Sequence, residues 1–487
     1  MQTARLVASA MALAVAGAQT GHAAQGSAAH DRTYALPDEP VSADMPGPSQ
    51  IDPNHSYALY ELIDIAETAN PLARGAWDES KDAALAVGLV RSAYLPRLTA
   101  IAAGIAETSH DNQRLDGAPV DGNGNGRTVI AALSLQWLLF DFGQRRALER
   151  GAQLLLTASN IHLDAVHQKI IRDVSASFYT AAAAHDETVN AQVALDDALK
   201  VQNAAEQRRA QGQATVVEIA QVRQASAQAR VLSVMAAGHE ADARITLLTA
   251  MGVSPLAPIR LASIPERPLA VQDGIDAHEV VTRALGRRPD IQAALALEGS
   301  ADENVNAARA DFRPKVFFAS SASYQTGHLS IAAVPGSGVD GSNNLSGSSG
   351  NLLGAVGVSI PLYDGGMRST KLAQARARAD EARAQFDAVR ITAVHDIVLA
   401  RTTLDTSLAL YAASTELLGA AQTSFDAALG AYSHGAGTVT EVNAAEIALM
   451  SARNGHSAAY SGALSAAASL ALATGDLATT PGVASGS

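Results

Sequence analysis

Alternation of apolar and polar residues marks two pairs of windows along the chain. In 128–139 (TVIAALSLQWLL), Val129, Ala131, Leu133, Leu135, Trp137 and Leu139 fall on one face, with Ser134 and Gln136 on the other. Successive strand side chains point to opposite faces, so this window predicts a strand of about 10 to 12 residues, the length that crosses an outer membrane at a tilt. The window 97–108 (RLTAIAAGIAET) precedes it, and 315–326 (KVFFASSASYQT) and 352–362 (LLGAVGVSIPL) repeat the pair. In the last of these Leu352, Val356, Val358 and Ile360 share a face, and Pro361 ends the strand because proline cannot donate to a ladder. The intervening segments, 109–127 and 327–351, are rich in Gly, Asn and Ser and read as long polar loops. Within the first, DGNGNG (121–126) reads as turn chemistry rather than as a calcium-binding repeat.

A second periodicity occupies the stretches that lack proline, between Pro119 and Pro255 and between Pro361 and Pro481. From Gly143 to Ala210 only Gly151 interrupts a helix-compatible sequence, which predicts a helix of roughly 68 residues and about 100 Å. In the later stretch Phe386, Val389, Ala393, Ile397, Ala400, Leu404, Leu408 and Tyr411 step by three or four. Leu163, Val166, Ile170, Val174, Ser177 and Ala181 hold the equivalent positions in the earlier one. Steps that sum to eleven imply a nearly straight or slightly right-handed seam, suited to a wall of helices.

These similarities are an internal duplication. Pro71 and Pro289 stand 218 residues apart, as do Pro96 and Pro314. After the polar loops the offset becomes 223, pairing Asp141 of FDFG with Asp364 of YDGG, Gly212 with Gly435, Thr215 with Thr438, Glu218 with Glu441 and Gly252 with Gly475. Each copy therefore reads as helix, two strands, very long helix, turn and return helix. At the turns, RRAQGQATVVEIAQV (208–222) and AYSHGAGTVTEVNAA (431–445), Thr215 and Thr438 are candidate N-caps, with Glu218 and Glu441 three residues on as in a capping box.

The N-terminus, 1–24, has one cation at Arg5, an apolar run from Leu6 to Ala18 and small residues around Ala23, and reads as a secretory signal peptide. The expected organisation is a flexible leader at 25–55, repeat 1 at 56–265, a linker at 266–274, repeat 2 at 275–478 and a tail at 479–487. Beyond the N-terminus no run of about 18 apolar residues occurs, which argues against membrane-spanning helices. A net charge of −13 without a basic patch argues against nucleic acid. With no cysteine among 487 residues, disulfides, thiolate metal sites, cysteine nucleophiles and a lipidated cysteine are excluded. The 13 histidines show no metal spacing and no nucleophile elbow is present, so neither an enzyme nor a cofactor is expected. Four strands leave two open edges, which cannot face lipid, so copies of the chain must complete a barrel; two chains give eight strands and three give twelve. A non-channel coiled-coil protein would not explain why strands of lipid-spanning length recur at equivalent places.

The signal peptide, the duplicated strand pairs, RRPDI (287–291), the FDFG and YDGG turns and the Gly-x-x-Thr-x-x-acid tips together resemble the TolC family of outer-membrane efflux proteins over residues 56–478. The resemblance implies a homotrimer whose twelve-stranded β-barrel, four strands per chain, sits in outer-membrane lipid and continues as a long periplasmic α-helical barrel. It further implies docking to a periplasmic adapter and an inner-membrane ABC or proton-driven transporter. On the matching positions, Gly212, Thr215, Gly435 and Thr438 would dock the adapter, and Glu218, Tyr432 and Glu441 would lie at the channel entrance. The family's second acidic ring falls on Ala444 and its tip arginine on Gly437. If Glu441 lines the pore, three carboxylates converge, repel one another and attract cations. The missing acceptor cysteine favours type I protein secretion; RRPDI points the other way, to drug, dye or metal-ion efflux with a proton-driven pump.

Overall fold

The computed structural model describes residues 51–115, 118–269, 277–331 and 343–476. The expected signal peptide, the leader up to residue 50, linker residues 270–274 and the tail 479–487 lie outside them. The elements are β1 (Ser56–Tyr57), α1 (Leu59–Ala69), α2 (Pro71–Ser92), β2 (Arg97–Leu115), β3 (Ala118–Phe140), α3 (Gln144–Ala210), α4 (Val216–Met251), β4 (Arg260–Leu261), α5 (Ala277–Leu285), α6 (Pro289–Ala310), β5 (Lys315–Ile331), β6 (Asn343–Ser359), α7 (Met367–Ser433) and α8 (Val439–Thr474). The start and end of α7 and of α8 lie 223 residues after those of α3 and α4, and Pro71, Ser92 and Arg97 recur 218 residues on as Pro289, Ala310 and Lys315.

One compact unit contains the sheet. Its order is β2-β3-β5-β6, all neighbours antiparallel, so the inner strands of the two repeats pair with each other and β2 and β6 are the edges. The register carries the apolar face across all four strands. Leu133 stands opposite Ala100 and Ala322, and Ala322 opposite Leu352; Trp137 stands opposite Phe318, and Phe318 opposite Val356. The other face collects Ser134, Gln136, Ser321, Ser323, Gln325 and Asn351, interspersed with Ile101, Ile105, Ile130, Phe317 and Leu353. From Val129 to Trp137 the apolar band runs about 26 Å along the strand, or about 20 Å once tilted by ~40°, close to the apolar band of an outer-membrane barrel.

The strands run well past the expected windows. β2 and β3 stay paired out to Leu115 and Ala118, so most of 109–127, DGNGNG included, is ladder rather than loop. β5 continues to Ile331 and β6 begins at Asn343 and ends at Ser359, which leaves Pro361 two residues beyond the strand. Ladder bonds join backbone groups and need no apolar side chain, so hydropathy located the apolar band and missed the polar continuation.

At the base of this unit each repeat locks strand to helix with an Asp and an Arg four residues apart. Arg145 donates from Nε to Asp141 at 2.9 Å and from its terminal nitrogens to the carbonyls of Ala93, Leu138 and Leu139, and its guanidinium lies 4.7 Å from the Tyr94 ring centroid. Arg368 repeats the arrangement with Asp364, the carbonyl of Pro361 and the Phe312 ring. The strand-to-helix turns take positive φ at Phe142 (52°) and Gly143 (97°), and at Gly365 and Gly366 in the second copy. For a phenylalanine this backbone costs about 1–2 kcal/mol, offset by the hydrogen bonds that Arg145 donates to Asp141 and by edge contact between Phe142 and Phe140.

The other compact unit is helical. Its largest core joins Leu62 and Ala66 of α1 to Val174 and Phe178 of α3 and to Leu247 and Leu248 of α4. In the second copy Val280 and Ala284 of α5 meet Ile397 of α7, the positions equivalent to Leu62, Ala66 and Val174. Of the expected seam residues, Ile170, Val174, Ala181, Ala393, Ile397 and Tyr411 are buried, and the other eight are half-buried. Where one helix preceded the strands in the expectation, two are present in each repeat, because Pro71 and Pro289 open new helices at a first turn that needs no N–H donor. The residue before each proline then braces the return helix. Asn70 donates to the carbonyl of Ala250, and Arg288 to the equivalent carbonyl of Ala473, each two residues before a C-cap glycine. At Gly252, φ is 74° and an added Cβ would stand 2.8 Å from Asn70 Cα.

The described fold also begins earlier than expected. Ile51 is buried, the Tyr57 hydroxyl accepts from the Asp52 amide at 2.7 Å, and β1 pairs in parallel with β4, so residues 51–55 belong to the fold rather than to a flexible leader. At the other end of repeat 1, Glu266 and Arg267 of the expected linker are held by the hydroxyls of Tyr411 and Tyr460. Short polar segments of this kind carry no periodicity for a sequence reading to detect.

Candidate functional site

The two helix-turn-helix tips share one core. Val201 and Ala205 of α3, Val222 of α4, Phe425 and Tyr432 of α7 and Val442 of α8 are buried together, so the ends of both repeats form a single four-helix cluster. Each turn is built alike. Gly212 and Gly435 take φ of 78° and 77°, a conformation that a side chain resists, and the amides of Gln213 and Ala436 return to the carbonyls of Arg208 and Ala431. Thr215 and Thr438 then cap α4 and α8, accepting from the amides of Glu218 and Glu441.

The two glutamates part company here. Glu441 is exposed, and its Oε2 accepts from the Thr438 amide at 2.9 Å, completing a reciprocal capping box. Glu218 makes no such return bond. Its carboxylate instead accepts from the Tyr432 hydroxyl at 3.0 Å, joining the tip of repeat 1 to that of repeat 2. Arg208 completes the cluster, with a terminal nitrogen 3.7 Å from Glu218 and its guanidinium 5.2 Å from the Tyr432 ring centroid. Burial, then the bond and negative charge of Glu218, push the Tyr432 phenol up from its ordinary value, so at neutral pH it remains a donor.

Of the residues expected at the entrance, the structure thus brings Glu218 and Tyr432 into contact and gives Glu441 to the cap of its own helix. Arg208 was missed. The available signal was its place in the last turn of a long helix, where repeat 2 has Ala431. The positional arginine at Gly437 is absent, yet a guanidinium still reaches the tip tyrosine, from the other repeat. Asp141, Arg145, Asp364 and Arg368 were also half missed: the aspartates were singled out, but not their partners four residues on. Among the described residues no cluster of His, Asp or Glu has metal-holding geometry, and no helix is long and apolar enough to cross a membrane.

A four-stranded sheet with one apolar face, paired with duplicated 67-residue and 36-residue helices, is the architecture of the outer-membrane efflux channels. The sequence matches the family model described as outer membrane efflux protein over residues 62–253 and 280–476, one segment per repeat, and the chain belongs to that family. It is 29% identical over 414 residues to protein CyaE of Bordetella pertussis, covering 84% of this chain and 82% of that protein. It is 30% identical over 197 residues to the pyoverdine export outer membrane protein OpmQ of Pseudomonas aeruginosa, covering 40% of each chain. The outer membrane protein VceC of Vibrio cholerae shares the fold, with a TM-score of 0.65 at 24% identity over 86% of this chain and 96% of that one. The protein is accordingly an outer-membrane efflux channel component and not an enzyme.

Proposed function

We propose that three copies of this chain form a passive conduit of a tripartite exporter, spanning the outer membrane and reaching into the periplasm. The observation that carries this reading is the sheet, apolar on one face and, among the described residues, unpaired at β2 and β6. An open edge in lipid leaves backbone donors and acceptors unsatisfied, and β2 of one copy pairing with β6 of the next removes both edges. Three copies give twelve strands, and the two long helical positions of each repeat give a matching twelve-helix tube. The tip turns around Gly212, Thr215, Gly435 and Thr438 dock a periplasmic adapter, which links the conduit to an inner-membrane pump. Glu218, Tyr432 and Arg208 hold the tips of one protomer together at the entrance, and Glu441 adds negative charge there.

The cargo reading is a protein carried by a type I system with an ABC transporter. It is supported by similarity to CyaE along most of both chains and by the lack of any cysteine that could carry a lipid. Export of a small molecule is the second reading, favoured by the similarity to OpmQ, which covers two fifths of the chain. Deleting the gene separates the two. Loss of one or a few proteins from the culture medium, with unchanged dye and siderophore efflux, supports protein secretion. An unchanged set of secreted proteins with retained dye or siderophore supports the second reading.

A further inference from the structure

Glu446 lies on α8, in the tip half of the helical unit, and its Oε1 is buried without a hydrogen-bond partner. It borders a cavity of about 50 Å³ lined by Ala194 and Ala198 of α3 and by Ala225, Ala229 and Leu232 of α4. The remaining polar lining residues, Gln228 of α4 and Asn443 of α8, do not bond to Oε1. From α3 the carboxyl faces Asp197, a like charge whose own partner is Lys200 at 2.7 Å; no charged residue of α4 or other charged residue of α8 lines the cavity. Burial first, and Asp197 second, push Glu446 up to about 7.

Two further facts set this residue apart. Its counterpart in repeat 1 is Arg223, which is satisfied by Glu206 at 3.0 Å, so the duplication did not require an unpaired acid here. Oε1 is itself covered by residues of its own protomer.

We propose that Glu446 is a proton-operated wedge: α8 stays seated on α3 and α4 while the carboxyl is neutral, and ionisation drives that stretch of α8 outward to hydrate the carboxylate. The sign follows from linkage. The seated state binds the proton more tightly than a hydrated carboxyl with its ordinary value of 4.5. The carboxyl's contribution to seating is therefore full in acid, is lost as pH rises from 4.5 towards about 7, and changes no further above that. Each unit of the window is at most tenfold in the equilibrium, and the carboxyl's partial exposure reduces the whole span to roughly tenfold.

The absence of cysteine makes a single reporter thiol unique. In the full-length detergent-extracted assembly carrying Ala229→Cys, the rate of maleimide labelling is measured from pH 5 to 8 with and without Glu446→Gln. The ratio of the two rates cancels the thiol's own titration. A ratio that rises roughly tenfold between pH 5 and 7 is expected, and a ratio that stays constant overturns the proposal. Asp197→Asn provides a second arm should the glutamine variant fail to assemble, with labelling at Ala229→Cys normalised to an exposed thiol at Ser451→Cys. Removing the neighbouring charge should move the labelling transition to lower pH; an unmoved transition overturns the proposal equally. The readout is helix packing, so it stands apart from cargo and docking.

Discussion

Replacing Tyr432 with phenylalanine deletes one oxygen from the tip and little else. The ring stays in the shared core of α3, α4, α7 and α8, and Arg208 retains its face. What is lost is the 3.0 Å bond to Glu218. A hydrogen bond to a charged acceptor contributes about 1.5–3 kcal/mol, and Glu218, partly exposed and still 3.7 Å from Arg208, lowers this to about 1–2 kcal/mol. That corresponds to a fivefold to thirtyfold shift per tip, and three tips released together multiply it. Single-channel recording in planar bilayers should show longer or more frequent high-conductance openings for Tyr432→Phe, with wild-type yield of the assembled protein. Glu218→Gln should do the same more weakly, because a neutral acceptor remains. Conductance and opening frequency indistinguishable from wild type in both variants would refute the claim that this bond holds the entrance.

Three further substitutions probe other parts of the account. Glu441→Ala should lower cation selectivity and loosen the first turn of α8 by about 1 kcal/mol, whereas Glu441→Gln should lower selectivity alone, because the amide oxygen still accepts from Thr438; unchanged selectivity in both would remove Glu441 from the pore. Leu135→Arg places a cation in the apolar band at a cost of about 2–4 kcal/mol and should cut the yield of membrane-inserted protein, while Ser134→Arg, on the opposite face, should not; the reverse pattern would mean that the faces are exchanged. Arg145→Met strands the buried Asp141 carboxylate and three carbonyls, so a loss of about 3–5 kcal/mol is expected, seen as a lower unfolding temperature in detergent, and an unchanged temperature would reject the strand-to-helix lock.

The parts of this molecule that repeat were legible in the sequence, and the parts that connect were not. Proline spacing revealed the duplication because each marked proline does the same job twice: Pro71 and Pro289 each begin a helix. Period-two alternation found Val129 to Trp137 because one face there carries apolar side chains; it could not see Ala118 to Arg127, where backbone ladder bonds continue through a polar sequence. Glu218 and Glu441 look identical in sequence, each three residues after a capping threonine, and only the presence of Tyr432 opposite one of them separates a bond between repeats from a helix cap. Arg208 and Asn70 were invisible for a related reason. Their partners are a tyrosine from the other repeat and a C-cap turn, neither of which leaves a spacing in the chain, whereas Arg145 did leave one, four residues after Asp141 and repeated as Asp364 and Arg368.

The central claim is that copies of this chain close into a lipid-spanning pore. Its most direct test is the mass of the detergent-extracted protein measured alongside its conductance in a planar bilayer. A mass of three chains with small, cation-biased pores is the expected result. A detergent-free, folded species that conducts nothing would contradict the account, because the apolar face of the sheet would then never meet lipid.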